Sequence, residues 1–153
     1  MNACAELARK EPGHLFLCWF PETAVRFREF FRQQGLDEDL VLETRHVHTS
    51  KLQDKKPVFV EHYPLYAKET ELIKNWDKEN ILVFSALDEP LFKHFGSDKL
   101  IPMIKLLGMK EDEAIEHSMV TRSIIKGQEK IAELVNLEQP ANSQAEWMKK
   151  NIK

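Results

Sequence analysis

The chain has 153 residues and a formal net charge of −3, with 42% hydrophobic and 31% charged residues. This length suits one domain, or one domain with a helical tail, and the composition excludes a disordered chain. Acidic and basic residues are interspersed along the sequence, which argues against a nucleic-acid-binding module because such a module needs a basic face.

The first 84 residues predict alternating strands and helices. A short helix over residues 1–13 is followed by the apolar run 14–20, whose length suits a strand that is covered on both faces. Pro21 then opens a helix that ends at Gly35. Further strands are expected at 40–48, 57–60 and 81–84, with a polar loop at 49–56 and a helix at 65–76. This order favours an α/β fold with a small, mostly parallel sheet of about four strands and flanking helices.

The remaining sequence predicts helices alone. Short helical stretches are expected within 88–107, one longer helix at 116–136, and a terminal helix at 144–153 with Trp147 as its large apolar anchor. We therefore expect a compact α/β domain over residues 1–110 and a helical extension over 111–153 that packs on it, forming a single domain overall.

The motifs of nucleotide-binding enzymes are absent from the sequence. None of the five glycines is followed by lysine, so there is no phosphate-binding P-loop, and no Gly-x-Gly-x-x-Gly pattern occurs. The sequence therefore predicts no cofactor and no catalytic residue. It also contains no run of the ~18 apolar residues that a membrane-spanning helix needs, and its first residues lack the apolar stretch of a signal peptide. We expect a cytoplasmic protein without stable membrane insertion.

Two histidines, His46 and His48, are weak candidates for a metal site. On a strand, alternate side chains share a face, so both imidazoles would point the same way. The alternative is a pair of surface histidines that bind nothing. Cys18 lies within the apolar run 14–20, so we interpret it as a buried small side chain and not as a catalytic thiol.

Several motifs after residue 83 keep a common register. They are Phe95-Gly96-Ser97-Asp98-Lys99, Leu107-Gly108-Met109-Lys110, Glu113-Ala114-Ile115-Glu116-His117 and Val120-Thr121-Arg122, followed by Ile124, Gln128 and Lys130. This stretch, from Val83 to Glu133, resembles the SecA preprotein translocase ATPase where its second nucleotide-binding fold runs into the helical scaffold. The earlier residues resemble a degenerate helicase-type second domain.

The resemblance implies a fold and a structural joint, and it does not carry over the ATPase activity. The family supplies arginines to the nucleotide from the region that corresponds to Val58–Trp76, whereas Glu61–Asn80 contains no arginine and no glycine. The first nucleotide-binding fold has no counterpart in this chain. A group of acidic residues precedes the long helix, and we interpret it as the start of that helix and not as an acid–base site. It consists of Glu111-Asp112-Glu113 and Glu116, with His117 beside them.

The sequence therefore leaves two alternative functions, and the missing motifs favour a protein that is not an enzyme. In the first, the chain is a catalytically inactive SecA-like module that binds another protein, such as the translocation machinery, or a copy of itself. In the second, it is an enzyme of unknown type. Ligands of open parallel sheets bind at the carboxyl ends of the strands, where Glu61, His62 and Asp88 would have to converge.

Overall fold

The computed structural model describes residues 1–106, 108 and 118–153, with the side chains of 98–100 left undescribed. The chain divides into two compact units, of which the first contains Met1–Tyr63 and Lys68–Ser85 and the second Pro64–Ala67 and Ala86–Lys153. The boundary that we predicted at residues 110–111 lies outside the described residues. The expectation of a single domain overall stays a prediction.

The first unit is built around a four-stranded sheet in which every pairing is parallel. Its strands, in the spatial order β2-β1-β3-β4, are β1 His14–Cys18, β2 Val41–Glu43, β3 Lys56–Phe59 and β4 Leu82–Val83. Its helices are α1 Asn2–Lys10, α2 Pro21–Gln33 and α3 Tyr66–Ile73, the last of which begins in the short segment assigned to the second unit. The predicted α/β class with a small parallel sheet is therefore confirmed.

The central strand β1 has both of its faces covered. Phe16 and Cys18 belong to one apolar cluster with Phe31 of α2, whereas Leu15 and Leu17 belong to another with Trp76. Successive side chains of a strand point to opposite faces, so an unbroken apolar run is what a doubly covered strand requires. This is the reason that the run 14–20 indicates a central strand.

Both cysteines are free and buried in the first unit. Burial raises the pKa of the Cys4 thiol to about 11, and burial together with the nearby Glu61 raises the pKa of the Cys18 thiol further. A nucleophilic cysteine needs a lowered pKa, so this environment keeps both thiols protonated and inert.

The limits of α2 follow from its terminal residues. Pro21 occupies the first turn, where its missing N–H costs nothing. Gly35 has φ +68°, a left-handed conformation that suits glycine, and the Leu36 amide donates back to the Phe31 carbonyl at 2.8 Å.

The strand predicted over residues 40–48 is much shorter in the structure. The last pair between β1 and β2 joins Cys18 to Glu43, and the chain after Cys18 soon turns into α2. Because β2 has no neighbour beyond that pair, its backbone continues as short 3-10 turns at Thr44–His46 and Thr49–Leu52. The alternation argument for His46 and His48 therefore does not apply, and both side chains are exposed.

The second unit contains helices. They are α4 Pro90–His94, α5 Ser97–Leu106, α6 Ser118–Leu134 and α7 Gln144–Asn151, each at a place where the sequence predicts helix. The predicted first turn of α6, with Glu116 and His117, lies outside the described residues. Within the part of the chain that the structure covers, no helix has the length and apolar character needed to cross a membrane.

Helices α4 and α7 are tied together by one buried amide side chain. Gln144 accepts the Leu91 backbone N–H at 2.9 Å through Oε1 and donates to Glu89 at 3.2 Å through Nε2. Gln144 is 5% exposed, so these bonds satisfy a polar group that would otherwise be costly to bury. The Ser143 Oγ caps the start of α7 by accepting the Glu146 amide at 3.2 Å.

Helix α6 contains one glycine at a close contact. A Cβ on Gly127 would lie 2.5 Å from Cζ of Phe95, which is too short for two non-bonded carbon atoms, so the ring would have to move. The Phe95 ring therefore packs directly on the α6 backbone.

We expect Gly127→Ala to destabilise the protein by no more than about 1 kcal/mol, because the Phe95 ring can move aside and the helix-propensity gain of about 1 kcal/mol offsets part of the overpacking cost of about 1–3 kcal/mol. In a Phe95→Ala background the clash is gone, so the same substitution should instead stabilise the protein by about 1 kcal/mol. Urea unfolding of the four proteins of this double-mutant cycle measures both effects. An equal effect of Gly127→Ala in both backgrounds would contradict the contact.

Candidate functional site

The segments that follow the carboxyl ends of the strands hold the candidate site residues of the first unit. Trp19 follows β1, the segment 61–63 follows β3, and Ser85 follows β4. Since all four strands are parallel, these residues lie along one edge of the sheet. In open parallel sheets this edge is where ligands bind.

Glu61 is the central side chain of this edge. Its Oε1 accepts the backbone N–H groups of Trp19 at 2.9 Å and Phe20 at 3.1 Å, and its Oε2 accepts the Thr23 hydroxyl at 2.8 Å. Phe20 is the N-cap of α2, and Thr23 lies in the first turn of that helix. One carboxyl group therefore fastens the end of β3 to the start of α2.

The environment of Glu61 raises its pKa. The residue is 5% exposed, and this burial raises the pKa of its carboxyl from the usual value near 4.5 to about 7, although the hydrogen bonds from Thr23, Phe20 and Trp19 act in the opposite direction. The group therefore changes protonation near neutral pH. The hydrogen bonds that the structure describes for this carboxyl all come from groups of its own unit.

His62 is held by a second carboxylate. Its Nδ1 lies 2.9 Å from Oε1 of Glu69, and the same oxygen accepts the Tyr63 backbone N–H at 2.7 Å. Both side chains are largely buried, at 15% and 14% exposure. The pair joins the segment after β3 to helix α3, and it fixes the orientation of the imidazole ring.

Aromatic side chains cover the same edge. Trp19 stacks on Phe59 with ring centroids 5.4 Å apart, and Phe59 in turn stacks on Trp76 at 5.9 Å. On the side of α2, Phe20 stacks on Tyr63 at 5.6 Å. Aromatic rings thus line the edge around Glu61.

The residues predicted to form a ligand cleft fall into different units. Glu61 and His62 are neighbours in the first unit, whereas Asp88 belongs to the second unit and is exposed. The convergence of all three stays a prediction. His46 and His48 lie on exposed turns, and within the described ranges no three His, Cys, Asp or Glu side chains form a group able to hold a metal ion.

Two residues that carry this arrangement were not found by sequence reasoning. Thr23 and Glu69 received no role, yet they are the side-chain partners of Glu61 and His62. A weak signal was present for Glu69, because an acid in the first turn of a helix often accepts amides that precede it. No local pattern connects Thr23 to a carboxylate that is 38 residues away.

The second unit has an open groove between α4, α5 and α6, with a volume of about 800 Å³. We call it the α6 groove. Its apolar lining consists of Phe92, Phe95, Met103, Ile124 and Leu134, and its charged residues are Lys126, Lys130 and Glu133.

Comparison with known proteins finds a region of similarity to protein translocase subunit SecA. A stretch of 48 residues, 31% of this chain, is 50% identical to protein translocase subunit SecA of Ehrlichia canis (strain Jake). The corresponding identity is 52% for SecA of Acidithiobacillus ferrooxidans (strain ATCC 53993 / BNL-5-31) and 44% for SecA of Acinetobacter baumannii (strain AYE), over 48 residues in each case. The chain matches no protein-family model and no solved structure.

The similarity is confined to a small part of each relative. The chain covers 6% of the Ehrlichia canis protein and 5% of each of the other two. Outside that stretch the comparison gives no support for a relationship to SecA. The predicted resemblance around residues 83–133 is thus confirmed: this chain contains a SecA-like segment equal to about one-twentieth of a SecA polypeptide.

Proposed function

We propose that this chain is a catalytically inactive SecA-like module that binds another protein and acts in preprotein translocation. The observation that carries the inactive part of the proposal is the position of the Glu61 carboxyl on the Trp19 and Phe20 backbone amides, just before the first residue of α2. The SecA-like segment, which is similar to a named translocase subunit, supplies the biological context.

Helix N-termini at the carboxyl edge of a parallel sheet are natural phosphate sites. Their free backbone N–H groups and the positive end of the helix dipole attract an anion. At the start of α2 the amides of Trp19 and Phe20 already donate to Glu61. A nucleotide phosphate would have to displace a buried side chain that also bonds Thr23.

Cations are few in the segment after β3, although Arg26 of α2 lies close enough to act on the Glu61 carboxyl. The region 61–80 contains no arginine, and its lysines are Lys68, Lys74 and Lys78. Lys74 forms an ion pair with Glu71 at 2.6 Å. Nucleotide hydrolysis depends on cationic groups that stabilise the developing phosphate charge, so their scarcity supports an inert module.

Calorimetric titration of the protein with Mg-ATP and Mg-ADP tests the proposal that the module does not bind nucleotide and is catalytically inactive. We expect no binding up to about millimolar nucleotide, a concentration at which a site of 1 mM Kd would be half filled. A SecA protein in the same buffer is the positive control. Nucleotide binding at micromolar affinity would contradict the proposal.

The proposed role in preprotein translocation needs a separate measurement. We expect that adding the purified protein to a reconstituted system changes the rate of SecA-driven preprotein import into vesicles. Unaffected import, together with native co-purification of partners unrelated to protein export, would count against the link.

The alternative function is an enzyme with its site at the carboxyl ends of the strands, for which Glu61 and His62 are the candidate residues of the first unit and Asp88 stays a prediction. A carboxyl pKa of about 7 is the observation in its favour, because general acid–base catalysis is most effective near the operating pH. Turnover of a hydrolase substrate with a pH profile that Glu61→Gln abolishes would support it. Absence of turnover in wild-type protein over a panel of ester, phosphate and glycoside substrates would remove it.

A further inference from the structure

The α6 groove has the dimensions and lining of a binding surface. Its volume of about 800 Å³ lies within the range of about 300–1,000 Å³ that is typical of ligand clefts. The exposed fraction of the apolar side chains in its lining ranges from 2% for Phe92 to 52% for Leu134. Leu137, which is 82% exposed, follows shortly after α6 in the sequence. Apolar surface of this kind, rimmed by polar residues, marks interaction sites.

The rim of the groove carries two lysines without acidic partners. Lys126 and Lys130 lie one helical turn apart on α6, both are exposed, and neither forms an ion pair with any residue that the structure describes. Three other lysines, Lys10, Lys74 and Lys150, each pair with an acid three or four positions away. Lys126 and Lys130 therefore remain available to the acidic groups of a partner.

We propose that the α6 groove binds an amphipathic helix of another protein, whose acidic side chains pair with Lys126 and Lys130. Apolar side chains spaced at i, i+3, i+4 and i+7 on the partner would fill the lining between Phe95 and Ile124, as in other helix-in-groove complexes. This inference rests on the proposed protein-binding function and adds the chemistry of the partner.

Two other occupants fit the groove less well. An anionic membrane gains only about 1 kcal/mol for each lysine near its surface, and it cannot enter a concave groove that also contains Glu133. A second copy related by a twofold axis that passes between Lys126 and Lys130 would bring the lysine pairs of the two chains together, and like charges repel.

The test uses the full-length chain and a charge-graded set of three labelled peptides. Each peptide is a designed helix of about 18 residues, about 27 Å long, with the same leucine face and with flanks of glutamate, glutamine or lysine. In fluorescence anisotropy we expect affinity to fall in the order glutamate, glutamine, lysine. Binding of the glutamate peptide should weaken between about 50 and about 300 mM salt, because salt screens the ion pairs.

Charge-reversed proteins make the test specific to the groove. Lys126→Glu with Lys130→Glu should weaken binding of the glutamate peptide at least about tenfold, the effect of losing about 1.4 kcal/mol of interaction. Lys149→Glu with Lys153→Glu alters the net charge equally at exposed positions outside the groove lining, and should change the affinity by less than about twofold. Circular dichroism checks that both variants fold.

Each contrary result overturns the proposal. Equal binding of the three peptides, no binding of any of them, or equal effects of the two charge reversals would do so. Binding to phosphatidylserine vesicles in place of the peptides would assign the groove to a membrane. A dimer in sedimentation that the Lys126/Lys130 reversal abolishes would assign it to a second copy. None of these results alters the outcome of the nucleotide titration, so the two proposals fail separately.

Discussion

Replacing Trp147 with alanine is expected to cost about 3–5 kcal/mol of unfolding free energy, which is the usual cost of removing a large buried aromatic side chain. Trp147 is 0% exposed, and its indole Nε1 donates to Glu138 at 2.9 Å. It is the largest fully buried side chain of α7. A cavity of that size cannot be closed by small movements in a tightly packed interior.

Trp147→Phe is the matched control. It keeps most of the apolar volume and removes the hydrogen bond to Glu138, so we expect a loss of about 1–2 kcal/mol. Urea unfolding followed by circular dichroism gives both values, and hydrogen exchange of the Leu91 amide, which donates to Gln144 of α7, reports on local loosening. If Trp147→Ala were within about 1 kcal/mol of wild type, α7 would not be a packed part of the fold.

The stability of the protein should decrease as the pH rises from about 5 to about 7, and Glu61→Gln should remove this decrease. The pKa of Glu61 is about 7 in the folded protein, above its usual value near 4.5. Between these two values the folded state keeps a proton that the unfolded state has lost. Stability therefore falls with increasing pH, by up to about 3 kcal/mol for a difference of about 2.5 pKa units.

Glutamine at position 61 keeps the shape and the hydrogen bonds. Its Oε1 can accept the Trp19 and Phe20 amides, and its Nε2 can donate to the Thr23 hydroxyl, which accepts as readily as it donates. Because glutamine does not titrate, we expect the variant to match wild type near pH 5 and to exceed it by about 2–3 kcal/mol near pH 8. Urea unfolding at several pH values measures both curves.

Thr23→Val is the control for this experiment. It removes the hydroxyl that stabilises the ionised carboxylate and leaves the charge in place, so the pKa of Glu61 should rise further and the loss of stability should extend to higher pH. A slope between pH 5 and 8 that persists unchanged in Glu61→Gln would show that other groups produce it. The Glu61→Gln variant keeps the Trp19 and Phe20 amides occupied, so it also serves in the nucleotide titration.

The fold could be predicted from local patterns because those patterns have local physical causes. The apolar run that contains Phe16 requires a strand covered on both faces, Pro21 can begin a helix, and Gly35 can adopt the left-handed conformation that ends one. The SecA-like segment was recognised for a similar reason, since its motifs keep their spacing over a continuous stretch. The extent of β2 was predicted wrongly, because the length of a strand depends on its neighbour and not on its own residues.

What the sequence by itself determined is therefore the α/β class, the order of strands and helices, the SecA-like segment and the missing nucleotide motifs. The tertiary structure alone decided that Glu61 accepts the Trp19 and Phe20 amides just before α2, that Phe95 packs on Gly127, and that Lys126 and Lys130 flank a groove. These contacts join segments far apart in the chain, 42 residues in the case of Trp19 and Glu61. Their partners are set by sheet register and helix packing, which no local periodicity encodes.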